Sequence, residues 1–394
     1  MADIQIYSLQ WCPYCIKAKA LLHAKGIPYR ETDVTSDRSL ALEMIERSGR
    51  NSVPQIFVDG ELVGGYDDLA HLSATGELDR LVGREPAELR PIYDVAVIGG
   101  GPAGLSAAMY AARKNLSTIL VSGDVGGQVG TTRDIANYPG FAEVTGPALA
   151  EQMIAQMSRY DVEQLLGEYV TGLRVEGRCR IVELESGRRL RSRTLIIASG
   201  VRKRHLEIPG EGKLDGHGVV YCSTCEGPLY GDKTIAVVGG GNSAFEAALE
   251  MNGSARKVYL VTRGHVSADA VLRDNVASAA KVEHLHNHLA IEIHGRDTVE
   301  ALTVLDIASD QRRQLEVDGV FVEVGLLPNT GFALDLVETN ERGEIKVDAR
   351  GRTGVRGVFA AGDCTDTPDK QIVVAAGDGA KAALAAFDYL VTQR

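Results

Sequence analysis

No window of the 394-residue chain comes near the ~18 consecutive apolar residues that a bilayer-spanning helix needs, so none is expected. The start, MADIQIYSLQWCPYC, lacks the basic region followed by an apolar stretch that marks a secretory signal, and a cytoplasmic protein is expected. Positive charge is not in excess either. Net charge is −11, with acids and bases interspersed, which argues against a nucleic-acid or anionic-membrane surface. The 44 glycines stand in punctuated runs without a fixed period. What is present is ordinary globular material, 44% hydrophobic and 24% charged, in a chain long enough for two or three domains.

Cysteine is scarce, and its placement is informative. Four of the six cysteines form two Cys-x-x-Cys pairs, Cys12/Cys15 and Cys222/Cys225, while Cys179 and Cys364 stand alone. Such close pairs do not make a disulfide-stapled secreted scaffold; they mean redox chemistry or a metal. A four-thiolate zinc site is the alternative. The pairs lie about 200 residues apart, where zinc ribbons keep theirs within ~20, so redox is the reading and no metal is expected.

The chain divides by pattern into residues 1–83, a charged Pro-containing linker 84–91, and a long remainder. In the first segment a strand is expected at Ile4–Tyr7, helices at Cys15–Lys25 and Asp37–Ser48, and a hairpin of Gln55–Val58 with Glu61–Val63 around Asp59-Gly60. In the remainder YDVAVIGGGPAGLSAAMYAA (93–112) returns as KTIAVVGGGNSAFEAALEMN (233–252). Each is a buried strand, a glycine turn and a small-residue helix, so two nucleotide-binding domains of one type are expected.

Cys12 stands just before the helix that holds Cys15. Unpaired N–H groups and the helix dipole stabilise a thiolate there, which makes Cys12 the nucleophile and Cys15 the resolving thiol. Pro13 suits the first turn, where its missing N–H costs nothing. Gly64-Gly65-Tyr66-Asp67-Asp68 opens a later helix whose backbone N–H groups can hold a carboxylate. CPYC, SVP (52–54) and GGYDD, in that order, resemble a glutaredoxin. That likeness implies a thioredoxin-like fold with a cis proline at Pro54 beside the dithiol, and a substrate groove formed by Val53, Pro54, Asp67 and Asp68 that takes a glutathione-type molecule. Glutaredoxins usually carry Lys three residues before the first Cys. Here that residue is Leu9, which shifts the expectation toward protein disulfides.

In the second segment Gly99, Gly101 and Gly104 form G-x-G-x-x-G between the strand Val95–Ile98 and a helix expected near Ala103, which lets a pyrophosphate approach the helix N-terminus. Further glycine turns follow at Gly126-Gly127-Gln128 and Ala198-Ser199-Gly200. Near the end, Gly362-Asp363 closes a strand before a helix expected around Gln371. An acid there can hydrogen-bond a ribityl chain, and a helix N-terminus can stabilise a reduced anionic ring. The residues expected on FAD are Gly99, Gly101, Gly104, Gly127, Gln128, Asn137, Gly200, Gly362, Asp363, Gln371 and Ile372. The second repeat reads G-x-G-x-x-A at Gly239, Gly241 and Ala244, for a nicotinamide dinucleotide. Cys222 and Cys225 come just before its first strand, and Glu226 beside them can move the proton that thiol chemistry requires.

Residues 92–394 resemble the low-molecular-weight thioredoxin reductases. GLLPNT (325–330), GVFAAGDCTDTPDKQI (357–372) and GAKAALAAFDYL (379–390) look most like the flavoprotein component of alkyl hydroperoxide reductase. The resemblance implies an α/β architecture: an N-terminal thioredoxin-like (glutaredoxin) domain and then two Rossmann-like domains. The nicotinamide domain (209–325) is inserted into the FAD domain (92–208 and 326–394) and can rotate against it. It also implies a homodimer and a Cys222–Cys225 disulfide reduced by flavin, with Cys225 nearest the flavin and Cys222 the interchange thiol. Two departures stand out. Glu226 replaces an Asp of the thioredoxin reductases, and a single glutaredoxin replaces the double thioredoxin-fold domain of the peroxide-reductase branch.

Two functions remain open on sequence. One passes electrons from NAD(P)H through FAD and Cys222/Cys225 to Cys12/Cys15 and then to an external disulfide, on a peroxiredoxin, a glutathionylated protein or another partner. The other is an NAD(P)H oxidase or thiol-regulated sensor, in which the flavin reduces oxygen and the thiols regulate it; the two intact Cys-x-x-Cys pairs favour the first, since an oxidase needs neither. NADPH is favoured over NADH because no acid follows the strand Lys257–Val261 and Arg263 stands near its tip. His284, His286 and His288 alternate and would share one face of a strand; a surface strand is expected rather than a metal site. Cys364 and Cys179 are expected to be inert, and Trp11 a groove wall.

Overall fold

In a computed structural model the structure describes residues 2–9, 12–35, 37–85, 89–132, 135–264 and 266–392, and only the backbone of residues 13, 131, 224 and 225. The expected groove wall Trp11 therefore lies outside the described residues, as do 86–88 of the linker.

The first segment builds a four-stranded sheet in the order Arg30–Asp33, Ile4–Ser8, Gln55–Val58, Glu61–Gly64. The first pair is parallel and the others antiparallel. Arg30–Asp33 was not expected, because its residues are polar and mostly exposed. The helix Arg38–Ser48 begins where Asp37 accepts the amides of Ser39 and Leu40 and ends at left-handed Gly49, an N-cap and C-cap pair that sequence reading places well. The first helix runs Pro13–Ala24 rather than from Cys15, since proline at the first position leaves Cys12 as the cap.

The remainder forms two main sheets, together with a three-stranded antiparallel sheet of His288–His294, Ala301–Asp306 and Gln311–Glu316 and a short two-stranded one. The larger runs Val162–Leu166, Thr118–Val125, Tyr93–Gly100, Arg189–Ile197, Cys179–Leu184, Val170–Glu176, with Val358–Ala360 also beside Arg189–Ile197. Its central strands pair in parallel. Val95, Ala96 and Val97 are fully buried, as expected of a parallel strand covered on both faces. The smaller sheet is parallel throughout, in the order Val219–Val220, Gly319–Val322, Thr234–Val238, Lys257–Thr262, Val282–His286. The chain leaves the larger sheet through Val201–Lys203 and returns through Leu326–Pro328, and these two short strands pair antiparallel. One dinucleotide fold is thus inserted into the other. Among the described residues no helix is long and apolar enough to cross a membrane.

The thioredoxin-like segment packs on the larger sheet. Ile4, Leu21, Leu22, Ile56 and Leu69 share one buried cluster with Val95, Leu120, Ile154 and Leu166. The Tyr66 hydroxyl donates to the Gly123 carbonyl at 2.6 Å and the Ser73 hydroxyl to the Leu166 carbonyl at 3.0 Å. Lys17 pairs with Asp124 at 2.9 Å. Both flanks of the linker are tied: Arg84 donates to the carbonyls of Lys25 and Gly26, and Arg90 pairs with Asp161 and Glu163.

Candidate active site

The N-terminal dithiol is an asymmetric pair. Cys12 caps the helix Pro13–Ala24, and the Cys15 amide donates to its sulfur at 3.3 Å. Its thiol also reaches the Val53 carbonyl at 3.7 Å, next to the cis Val53–Pro54 bond. The Cys15 thiol hydrogen bond, its amide and that of Tyr14, and Lys19 favour the Cys12 thiolate against the opposing cost of burial, bringing its pKa down to about 6. Cys15 is fully buried; its hydrogen bond to Cys12 and its burial push its own pKa up. One sulfur is therefore a nucleophile at neutral pH and the other a protonated thiol held behind it.

The expected substrate groove is partly committed. Asp67 is exposed, whereas the Asp68 carboxylate accepts the Gly65 amide at 2.9 Å and pairs with Arg50 at 3.3 Å, serving the start of its own helix. Tyr66, just before them, is buried against Gly123. Leu9 is 37% exposed.

The expected flavin residues converge at one end of the larger sheet. Gly99 ends its strand at φ +110, and a Cβ on it would lie 2.2 Å from the Ala198 carbonyl oxygen. A Cβ on Gly104 would lie 1.8 Å from the Gly99 carbonyl oxygen, so strand and helix meet where only glycine fits. Gly101 caps the helix Pro102–Arg113, and Gly127 faces it across a gap in which a Cβ on Gly101 would touch nothing nearer than 3.9 Å. Gly200 looks into open space. Gln128 donates to the Val201 carbonyl at 3.1 Å, and Asn137 to the side chain of Gln371 at 3.2 Å. Ile372 starts the helix Ile372–Thr392, and Gly362 and Asp363 form the turn before it. Burial raises the Asp363 pKa, with Lys370 opposing and Asp378 adding to the rise; its carboxyl has no hydrogen-bond partner among the described residues. A glycine cradle held open beside a helix N-terminus, with an unsatisfied acceptor, fits an FAD pyrophosphate and ribityl chain.

Asp124 was missed on sequence. It sits at the end of Thr118–Val125, about 20 residues beyond the third glycine, where such folds place an acid for the adenosine ribose. Strand end and spacing were both legible.

In the second fold Gly239 ends the strand Thr234–Val238 under the Glu323 carbonyl, Gly241 caps the helix Asn242–Ser254, and Ala244 is buried in its first turn. Arg263 is exposed just past the strand Lys257–Thr262; His265 lies outside the described residues. Cys222 is disulfide-bonded and precedes the one-turn helix Ser223–Glu226. The side chain of Cys225 lies outside the described residues, and Glu226 is half-buried. Glu323, also missed on sequence, accepts the Ser223 amide; burial and the neighbouring Glu250 and Glu246 nevertheless push its pKa up to about 7. Nothing in sequence spacing links residue 323 to the Cys222 turn.

Cys364 is fully buried, its thiol donating to the Ile197 and Ala361 carbonyls, and burial raises its pKa. Cys179 is half-buried beside Arg191. The three histidines do not share one strand face. Left-handed Asn287 breaks the strand, so His288 opens another sheet while His284 and His286 stay together. Among the described residues no group of three or more metal-ligating side chains occurs.

The comparisons agree with this geometry. The model of the family described as pyridine nucleotide-disulphide oxidoreductase matches residues 93–379, and that of glutaredoxin residues 4–63. The F subunit of alkyl hydroperoxide reductase from Staphylococcus aureus (strain MSSA476) is 41% identical over 86% of this chain and 67% of its own length. The protein of that name from Pseudomonas putida is 39% identical over 98% and 75%. Thioredoxin reductase from Streptococcus pyogenes MGAS5005 covers 77% of this chain and 100% of its own at 36% identity, with a TM-score of 0.73. The glycine cradles, the two Cys-x-x-Cys turns and these matches make the chain a member of the pyridine nucleotide-disulphide oxidoreductase family, an FAD-dependent NAD(P)H disulfide oxidoreductase that carries a glutaredoxin domain.

Proposed function

We propose that the chain passes electrons from NAD(P)H to its own Cys222/Cys225 pair, from there to Cys12/Cys15, and on to an external disulfide. The observation that carries this reading is Cys12 at the cap of its helix, accepting the Cys15 amide over a buried Cys15 thiol, in the same chain as a second redox pair. FAD, when bound, supplies the two-electron transfer between nicotinamide and disulfide. Gly99, Gly101, Gly104, Gly127, Gly200 and Gly362 leave room for it; Asp363, Gln128, Asn137, Gln371 and Ile372 orient it. Gly239, Gly241 and Ala244 receive the nicotinamide dinucleotide.

Once reduced, the Cys222 thiolate attacks the Cys12–Cys15 disulfide at Cys12 and expels Cys15 as a thiolate, which takes a proton. Cys225 then attacks Cys222, closes the Cys222–Cys225 disulfide and releases Cys12 as a thiolate. Glu226 manages the proton at the second pair. Cys12 next attacks the acceptor, and Cys15 resolves the mixed disulfide. Val53, Pro54, Asp67 and Asp68 line the acceptor groove. The relatives' name, alkyl hydroperoxide reductase, favours a peroxiredoxin as acceptor, with a glutathionylated protein next. The domain limits are those set out from the sequence, and the working unit is a homodimer in the cytoplasm.

Delivery needs the docked glutaredoxin segment to move. Thioredoxin reductases of equal identity to this chain, 34%, superpose with TM-scores of 0.73 and 0.54, the latter described as the FR conformation, which supports a mobile nicotinamide domain as well. The test is NADPH oxidation with and without a disulfide acceptor, under air and under nitrogen. Turnover that depends on the acceptor and not on oxygen is expected; oxygen-dependent turnover would favour an oxidase.

A further inference from the structure

The second redox pair stands at the end of two parallel strands. Val219–Val220 runs beside Gly319–Val322, with Val219 opposite Val320 and Val220 opposite Phe321. Carried two residues further along each strand, this register brings Cys222 level with Glu323. Alternation puts the Glu323 side chain on the same face as Phe321. Phe321 is buried in one cluster with Val220, Ala247 and Met251, the last two on the helix Asn242–Ser254.

Glu323 is held by its backbone and by its side chain. Its amide donates to the Val238 carbonyl at 2.8 Å. Its own carbonyl closes over Gly239, where a Cβ would lie 2.1 Å from the oxygen. Its half-buried carboxyl accepts the Ser223 amide. Ser223 is the first residue of the one-turn helix that follows Cys222. The acid is therefore fixed at the start of the dithiol's own helix, where a Cys222 thiolate would also stand.

The other charges there have the same sign. Glu250 and Glu246, exposed on the helix Asn242–Ser254, act on Glu323 together with its burial, and no cation among the described residues offsets them. Glu226 ends the turn on which both cysteines stand. The Cys12 turn differs, because Lys19 there favours the thiolate.

Two electrons open the Cys222–Cys225 bond. The reduced pair then holds two protons as a dithiol, or one as a thiolate and a thiol. A carboxylate beside Cys222 disfavours the second form, since like charges repel where water is partly excluded. A pair whose reduced form gains nothing from a thiolate is harder to reduce, and its dithiol is the stronger reductant. Protonation of Glu323 lifts that restraint.

We propose that Glu323 is a positioning residue of the second redox pair: held by the Ser223 amide, its carboxylate stands beside Cys222, keeps that sulfur a thiol after reduction, and makes Cys222/Cys225 a stronger reductant than the turn alone would. The inference deepens the proposed electron path and rests on it only in taking Cys222 and Cys225 as a redox pair.

The test equilibrates the intact flavoprotein, without oxygen, in dithiothreitol buffers at about pH 5.5 and about pH 8.5, on either side of the Glu323 pKa of about 7. The reagent closes its own disulfide and gives the pair two electrons and two protons. Alkylation and mass of the peptide holding Cys222 and Cys225 give the reduced fraction. Glu323→Gln still accepts the Ser223 amide through its carbonyl oxygen. At the higher pH it should raise the equilibrium constant for reduction about fivefold or more, roughly 20 mV. At the lower pH wild type and variant should agree within about twofold. Glu323→Asp keeps the charge and should lie nearer to the wild type at both. Equal constants at the higher pH overturn the proposal. So does a difference of the same size at both pH values, which marks packing rather than charge. The wild type gives a separate check that holds even if Glu323→Gln fails to fold. Alkylation of reduced Cys222 should have its midpoint at least about one pH unit above that of Cys12, near 6, and a smaller separation overturns the proposal. Because the pair is read directly, a loss of electron flow to Cys12 would defeat the proposed function and leave this result standing.

Discussion

The two Cys-x-x-Cys turns use the same spacing on very different helices. Cys12 caps a twelve-residue helix with proline at its first position, and its neighbours favour negative charge: N–H groups, the Cys15 thiol and Lys19. Cys222 precedes only four helical residues, and the adjoining Ser223 amide is already given to the carboxyl of Glu323, itself pressed by Glu250 and Glu246. A thiolate is stabilised at the first turn, whereas at the second the Ser223 amide already serves a carboxyl. Stabilising the thiolate stabilises the reduced pair and makes its disulfide the better oxidant. Electrons should therefore run downhill from Cys222/Cys225 to Cys12/Cys15, and the fusion of the two modules has a direction written into its electrostatics.

The largest break in this contrast comes from removing the second pair. Cys225→Ser should abolish NADPH-driven appearance of Cys12 thiol, read by alkylation and mass, whereas undiminished labelling would give Cys12 another electron source. Next comes the potential difference itself. Equilibration of each pair against glutathione buffers should place the Cys12–Cys15 couple on the order of 30 mV or more above the Cys222–Cys225 couple, which corresponds to about 1.4 kcal/mol. An inverted order would remove the electrostatic account. The pH dependence is a third probe. Alkylation of reduced Cys12 should rise with a midpoint near pH 6 and fall away below it, because only the thiolate reacts. Cys15→Ala should move that midpoint upward by removing the leading hydrogen bond, and Cys15→Ser should move it less. The smallest effect belongs to the docking contacts. Lys17→Met breaks a half-exposed ion pair with Asp124 and should cost only about 0–1 kcal/mol of stability in denaturant unfolding. Tyr66→Phe, which loses the bond to Gly123, should open residues 84–91 to protease several-fold faster.

Much of this was legible in the chain because local chemistry dictated it. Strand, glycine turn and small-residue helix at 93–112 and 233–252 specify dinucleotide folds, since Gly104 and Ala244 sit where the helix presses on its strand. Cys12-Pro13 reads as a helix start for the same local reason. The parts that escaped depend on tertiary pairing. His284 and His286 lie exposed on a strand, as expected, but only the sheet register shows them beside Thr262. Glu323 reaches the Cys222 turn only through the order of the parallel sheet. The seat of the glutaredoxin segment on Gly123, Asp124 and Leu166 carries no motif, because a docking surface needs only shape and a few carbonyls. Asp124 alone could have been found, by the spacing and strand-end rule applied to the nicotinamide fold.

The central claim is that electrons leave the chain through Cys12. The most direct measurement compares wild type and Cys12→Ser as intact flavoproteins, following NADPH oxidation under nitrogen with a protein disulfide and, separately, with ferricyanide. The account predicts that Cys12→Ser loses at least about 100-fold in the disulfide rate, comparable to losing a catalytic nucleophile, while ferricyanide reduction stays within about twofold because that acceptor draws electrons upstream of the glutaredoxin. Full disulfide turnover in Cys12→Ser would contradict it and remove the glutaredoxin domain from the path.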